Sequence, residues 1–313
     1  MARRKKGRSI SGILLLDKPL GLSSNQALQR VKRLYNAAKA GHTGSLDPLA
    51  TGMLPICLGE ATKFSQYMLD ADKVYRTTAK LGVRTASGDV DSDIVSERPV
   101  EGINRAVVEQ ALETFLGETL QVPSMYSALK HQGQPLYKLA RQGVEIERKA
   151  RPIHIYDIKL LDISDDQLDI ELHCSKGTYV RNLIDDLGEV LGCGAHVVTL
   201  RRLSVSGFDE SAMITLDALQ DIAPEGESEQ VLEALDRLLV PAWETVKSLP
   251  KVELNDLATS YLKQGQPVFV PKVIAEGRVA LFNREADDAH CFVGVGEVMD
   301  DGRIAPRRLV TTG

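Results

Sequence analysis

The 313-residue chain has no run of 18 or more apolar residues, whereas a helix that spans a bilayer needs about 20. A membrane span is therefore not expected. The basic N-terminus, MARRKKGRSISG, lacks the apolar segment of a secretory signal, so export is not expected either. The four cysteines, Cys57, Cys174, Cys193 and Cys291, form no C-x-x-C pair. That speaks against a zinc site and a disulfide framework, and cytoplasm is the expected compartment. No G-x-x-x-x-G-K-[ST] occurs and no G-x-G-x-x-G follows a strand, so a nucleotide cofactor has no support. Asp89-Val90-Asp91-Ser92-Asp93 opens like a calcium loop, but Ile94 and Val100 stand where glycine and glutamate are needed. It reads as an acidic turn. No metal and no cofactor are expected.

Hydrophobic residues make up 43% and charged residues 26%, the composition of globular material. The length suits one large domain and a small one. A net charge of -5 hides an uneven distribution. Nine acidic residues and no Lys or Arg lie between Asp209 and Asp236, while Lys130 to Arg151 carries six Lys or Arg against two Glu. Further cations occur at Arg3 to Arg8, Lys176 with Arg181, Arg201 with Arg202, and Arg307 with Arg308. Clusters beside glycine-rich loops suggest a phosphate-bearing partner.

Apolar periodicity predicts a strand over 12–17, a helix from Ser23 or Ser24 to about Tyr35, and a strand over 54–58. A helix follows over 61–69, then an alternating strand over 74–81 with Tyr75, Thr77 and Ala79 on one face. Further on, a helix is expected over 104–116, strands over 153–163 and 168–174, a helix over 179–191 and a strand over 197–205. Strands and helices without a regular βαβ repeat give an α+β, mixed-sheet class. Leu249-Pro250 reads as a linker. Beyond it, a helix over 255–262 and brief strands near 267–270, 277–282, 291–298 and 308–310 suggest a small β-barrel.

The residues GHTGSLDPLATGMLP, Gly41 to Pro55, concentrate the chemistry. Pro48 biases Asp47 toward extended backbone. Gly41, Gly44 and Gly52 permit positive φ and close approach of a backbone or ligand. Leu46, Leu49, Met53 and Leu54 can bury the underside of the loop, leaving Asp47, His42, Thr43 and Thr51 as its polar groups. An Asp, with a reference pKa of about 3.9, is ionised at neutral pH and can serve as nucleophile or base. Lys18 and Arg181 are candidate cations to hold it. Gly41-His42-Thr43-Gly44 also fits the short GXXG clamp of KH domains.

Several long motifs in order carry a more specific likeness. They are LLLDKPLGLSSN (14–25), AGHTGSLDPLATGMLPICLGEATKFSQY (40–67), Lys73-Val74-Tyr75, PSMYSALK (123–130), CSKGTYVRNLIDDLG (174–188) and GAHVVTLRRL (194–203). In these the chain resembles bacterial tRNA pseudouridine synthases of the TruB type. The resemblance implies a mixed-sheet pseudouridine synthase domain over 1–249, with a mobile thumb over about 124–152. A PUA-like RNA-binding barrel would cover 250–313. It implies isomerisation of uridine 55 in the T-loop of tRNA, by a monomer that needs neither cofactor nor protein partner. Asp47 would be the catalytic aspartate, Tyr75 the tyrosine against the flipped base and Arg181 the arginine paired with Asp47. His42, Tyr179, Leu200, Lys18 and Lys130 would contact substrate, His42 by entering the gap left by flipped bases. Whether Asp47 adds to the base, attacks the ribose or takes a ribose proton stays open. The rivals are a non-catalytic RNA clamp and a glycosidic hydrolase, which would need two carboxylates.

Overall fold

A computed structural model describes residues 7–224, 228–286 and 291–311. The basic residues Arg3, Arg4, Lys5 and Lys6 lie outside the described residues, as do Glu225 and Glu227 of the acidic stretch. Among the described residues no helix is long and apolar enough to cross a membrane.

One nine-stranded mixed sheet organises residues up to Thr215. Its order is Ile214–Thr215, Gly12–Lys18, Ala50–Leu58, Ala195–Val205, Lys73–Leu81, Gln167–Cys174, Arg151–Ser164 and Gly117–Gln121, with Ala40–His42 paired beside Ala50–Leu58. Ala195–Val205 runs parallel to Ala50–Leu58 and antiparallel to Lys73–Leu81. That central position brings Leu200 opposite both Ala50 and Thr77. Helices Ser24–Leu34, Arg105–Glu113 and Val180–Val190 contribute Ala27, Val31, Val108, Leu112, Ile184 and Leu187 to the main core, where they meet Leu14, Leu54, Ala79 and Ile170 of the sheet. Ser23 begins the first helix as a capping box with Gln26, satisfying backbone donors that the first turn leaves free.

Several boundaries differ from the sequence reading. The strand expected over 54–58 begins at Ala50, because Gly52 keeps pairing through a φ of 92°. The helix expected over 61–69 is a 3-10 turn, Gly59–Lys63, followed by Ser65–Asp70. Gly117–Gln121 was not anticipated: it is an edge strand whose polar GETLQ sequence carries little hydrophobic signal.

Residues after the linker form a five-stranded sheet, Lys251–Leu254, Gly277–Asn283, Phe292–Val298, Arg303–Leu309 and Val268–Phe269 in spatial order. Lys251–Leu254 was missed by the sequence reading, and Arg303–Leu309 begins five residues before the expected 308. This sheet and the Asp256–Lys263 helix enclose a separate core with Leu254, Leu262, Val279, Leu281, Val293 and Ile304. A shared apolar seam joins it to the larger unit, with Phe64 and Val246 on one side and Ala280 and Val295 on the other. Lys63 crosses the same seam, donating to Glu60, to the Leu309 carbonyl at 2.9 Å and to Thr311 Oγ1 at 2.8 Å.

Candidate active site

The Asp47 loop, between Ala40–His42 and Ala50–Leu58, is fixed by backbone bonds on both sides of the carboxylate. Ser24 Oγ accepts from the Leu46 amide at 2.7 Å and donates to its carbonyl at 2.9 Å. Gly21 N–H donates to the Pro48 carbonyl at 2.8 Å, and Ala50 N–H to the Asp47 carbonyl at 3.0 Å. Leu46, Met53 and Leu54 are buried beneath the loop, as expected, and Leu49 is half-buried. The loop thus holds Asp47 at the rim of a cavity of about 400 Å³, which Tyr75, Tyr179, Arg181 and Leu200 also line. Five residues named from the sequence converge there from four segments of the chain.

Arg181 pairs with Asp47, Nη2 to Oδ2 at 2.9 Å. The guanidinium is buried, whereas the Asp47 side chain stays 44% exposed toward the cavity. Desolvation by the surrounding protein raises the Asp47 pKa, opposed by Arg181 and Lys18 and assisted by Asp89. Arg181 therefore counteracts the penalty of placing an ionised carboxylate in a pocket.

Asp89 has a role in the site that the acidic-turn reading does not include. Its carboxylate is buried and accepts from Arg181 Nη1 at 3.1 Å, from Ser87 Oγ at 2.6 Å and from the Asp91 amide at 3.1 Å. The 89–93 turn is thus a structural mount for Arg181 as well as an acidic turn. Asp89 is not among the cavity-lining residues, so it supplies no second carboxylate for a hydrolase. The remaining Arg181 donors reach the Ser87 and Tyr126 carbonyls, both at 3.0 Å.

Arg202 was also missed as an individual residue. Read as part of a surface cation cluster, it is 1% exposed. Nε donates to the Met53 carbonyl at 2.7 Å and Nη2 to the Gly44 carbonyl at 3.3 Å. Burial raises the pKa of the Tyr75 phenol and keeps it protonated, and the nearby Arg202 charge opposes that shift. Register across the strands, Arg202 opposite both Gly52 and Tyr75, explains the convergence. Arg201 beside it pairs with Asp17 and Glu210, so neither arginine offers a free phosphate contact.

Gly44 and Gly52 both have a φ of 92°. A Cβ at Gly52 would lie 2.2 Å from the Arg202 carbonyl oxygen, so this glycine admits a neighbouring strand. Gly41 has no such φ, and its Cβ would meet nothing nearer than Thr62 at 4.0 Å.

Lys18 does not line the cavity and is fully buried. Its ammonium donates to the Pro19 and Leu22 carbonyls at 2.9 and 2.7 Å, so it braces the turn that carries Gly21. Burial lowers its pKa to about 8, with Asp47 opposing. A direct substrate contact by Lys18 does not fit this burial; an electrostatic influence on Asp47 does. His42 ends its short strand half-buried, its Nδ1 without a hydrogen-bond partner. Burial and then Arg202 lower its pKa, which keeps the ring neutral at physiological pH. Lys130 lies outside the cavity on an exposed hairpin, Lys130–His131 with Gln134–Pro135. Lys130, Lys138, Arg141, Lys149 and Arg151 make no ion pair among the described residues. No cluster of three or more His, Cys, Asp or Glu suited to a metal occurs among them either.

Residues 32–180 match the model of the TruB family pseudouridylate synthase N-terminal domain. Residues 181–247 match the tRNA pseudouridylate synthase B C-terminal domain, and 250–310 the C-terminal domain of pseudouridine synthase II TruB. The chain belongs to the TruB family of pseudouridylate synthases. It is 55% identical over 312 residues to tRNA pseudouridine synthase B of Shewanella amazonensis, covering 99% of this chain and 98% of that one. With the Tolumonas auensis protein of the same name it shares 56% identity, over 99% and 95% of the two chains. A crystal structure of a Cbf5-Nop10-Gar1 complex contains a chain of related fold. Its TM-score is 0.70 at 27% identity, over 96% of this chain and 84% of that one. The archaeal box H/ACA sRNP Nop10-Cbf5 complex gives a TM-score of 0.71 at 24% identity, over 99% and 92%. The TruB-family fold is thus a mixed-sheet α+β synthase domain with a PUA-like C-terminal module.

Proposed function

We propose that this TruB-family chain isomerises uridine 55 in the T-loop of tRNA to pseudouridine, with Asp47 acting on the nucleotide. The observation that carries this reading is the Asp47–Arg181 pair at the rim of a cavity lined by Tyr75 and Leu200. The names of the curated relatives, tRNA pseudouridine synthase B, supply the substrate class. A catalytic domain over 1–249 and an RNA-binding domain over 250–313 accompany the proposal.

The chemistry matches these residue types. Uracil must leave its ribose carbon, turn and rejoin through its 5-carbon, so the nucleotide is first extruded from the folded loop at a cost of a few kcal/mol. Tyr75 and Leu200 offer flat and aliphatic faces to the extruded ring. His42, held neutral, fills the vacated stack without bringing a charge into it. The unpaired thumb cations contact phosphates and offset the cost of extrusion. Arg181 aims Asp47 and favours its ionised form. The reaction conserves composition and redox state, so it needs no co-reactant; the reading further takes the enzyme to be a cytoplasmic monomer acting on tRNA.

The deciding experiment measures 5-hydrogen release from a T stem-loop transcript labelled at uridine. The chain should release label from position 55 alone, and Asp47→Asn should bind the transcript and release none. Ordinary turnover by that variant, or release from another position, would overturn the reading.

A further inference from the structure

The segment that carries Tyr179 and Arg181 is held by the hinge of the thumb. Gln121, the last residue of Gly117–Gln121, pairs with Arg151, the first of Arg151–Ser164. The chain leaves the sheet between these two partners to form the thumb, so Gln121 sits at its root. Its side chain is buried and reaches away from the strand. Oε1 accepts from the Tyr179 amide at 2.8 Å, and Nε2 donates to the Tyr179 carbonyl at 3.1 Å.

This arrangement copies one residue of antiparallel pairing with a side-chain amide in place of a peptide. Tyr179 needs it. As the residue preceding the Val180–Val190 helix, it makes no capping bond through its own side chain, and a phenol is not one of the short polar groups that cap well. Without Gln121 the Tyr179 N–H would lose its partner, while the C=O would keep the Leu183 amide that donates to it at 3.2 Å. Two more bonds continue the seam. Asn182 Nδ2 donates to the Val122 carbonyl at 2.6 Å, and Arg181 Nη2 to the Tyr126 carbonyl at 3.0 Å. That same Nη2 holds Asp47.

We propose that Gln121 is a positioning residue for the reaction. It fixes the backbone of Tyr179 so that Tyr179 lines the cavity and Arg181 reaches Asp47, and it couples both to the hinge of the thumb. Gln121 does not line the cavity and acts through Tyr179 and Arg181.

The inference rests on the proposed isomerase reading, and the test keeps the two apart. Single-turnover 5-hydrogen release, RNA affinity and the pH profile of the rate are measured for wild type, Gln121→Met, Gln121→Glu and Asp47→Asn. Gln121→Met keeps the length and removes both bonds; Gln121→Glu keeps the acceptor for the Tyr179 amide. Loss of the backbone clamp should lower the Gln121→Met rate about ten- to a hundredfold, with RNA affinity within about threefold of wild type. Gln121→Glu should fall between wild type and Gln121→Met. Arg181, Lys18 and Asp89 are the charges acting on Asp47, and a looser Arg181 should move the acid limb of the Gln121→Met rate to higher pH. A wild-type rate in Gln121→Met, a loss confined to affinity, or a slower rate with an unmoved acid limb would each overturn the proposal. Absence of release by wild type, or turnover by Asp47→Asn, would overturn the isomerase reading instead.

Discussion

Asp89 Oδ2 accepts from Arg181 Nη1 at 3.1 Å, while the other arm of that guanidinium holds Asp47. One buried arginine therefore lies between a carboxylate that faces the cavity and one that does not. Removing Asp89 should expose the difference. Asp89→Ala leaves Arg181 with one carboxylate in a buried site, and loss of a partner from such a pair costs about 3 kcal/mol of stability. Denaturant midpoints measure this. In Asp89→Asn the loss of a charge that raises the Asp47 pKa and the loosening of an Arg181 that lowers it act on the acid limb in opposite directions, so the readout is the plateau of turnover, which should fall as Arg181 loosens.

The Asp47 carboxylate should itself reduce stability at neutral pH. Burial raises its folded pKa above the ordinary value of 3.8. Between the unfolded and folded pKa values the folded chain binds more protons, so this group's contribution to stability falls as pH rises through that window. Asp47→Asn also takes a carboxylate from Arg181, so the test is the trend: the melting temperature of the variant relative to wild type should fall as pH falls through the folded pKa. Melting curves from pH 4 to 8 would show it. A constant difference would place the effect elsewhere.

Glycines of the strands that flank the loop should separate sharply under substitution. Gly52→Ala combines a φ of 92° with a 2.2 Å approach to the Arg202 carbonyl, and should cost well over 1 kcal/mol. Gly41→Ala meets open space and should change stability by no more than about 0.5 kcal/mol. Thermal melts of the two variants, side by side, provide the check.

Charge reversal at Lys130 and Arg141, on the thumb, should weaken binding of a T stem-loop and flatten the dependence of log K on log salt. Each lost phosphate contact changes that slope by about 1. Titrations at several salt concentrations measure it, and an unchanged slope would remove these residues from the interface.

Much of the site was legible because local rules pointed one way. Pro48 after Asp47, the Ser23 cap, and the alternation that buries Tyr75 are all features of short windows. Asp89 was not legible because its partner lies 92 residues later, and an Asp-rich turn reads the same whether exposed or buried. Arg202 was hidden by its neighbour: in a strand, adjacent side chains face opposite ways, so Arg201 meets surface acids while Arg202 is buried against the cavity. The sequence makes Lys18 a candidate cation for Asp47, but only the fold shows that its turn carbonyls enclose it. Gln121 gave no signal, since its partners are backbone atoms that no residue type specifies.

The seam formed by Phe64, Val246, Ala280 and Val295, crossed by Lys63, has a calorimetric meaning. Neither unit can unfold without uncovering apolar surface on the other. Heat should therefore melt both in one cooperative transition, although their sheets are separate and their cores distinct.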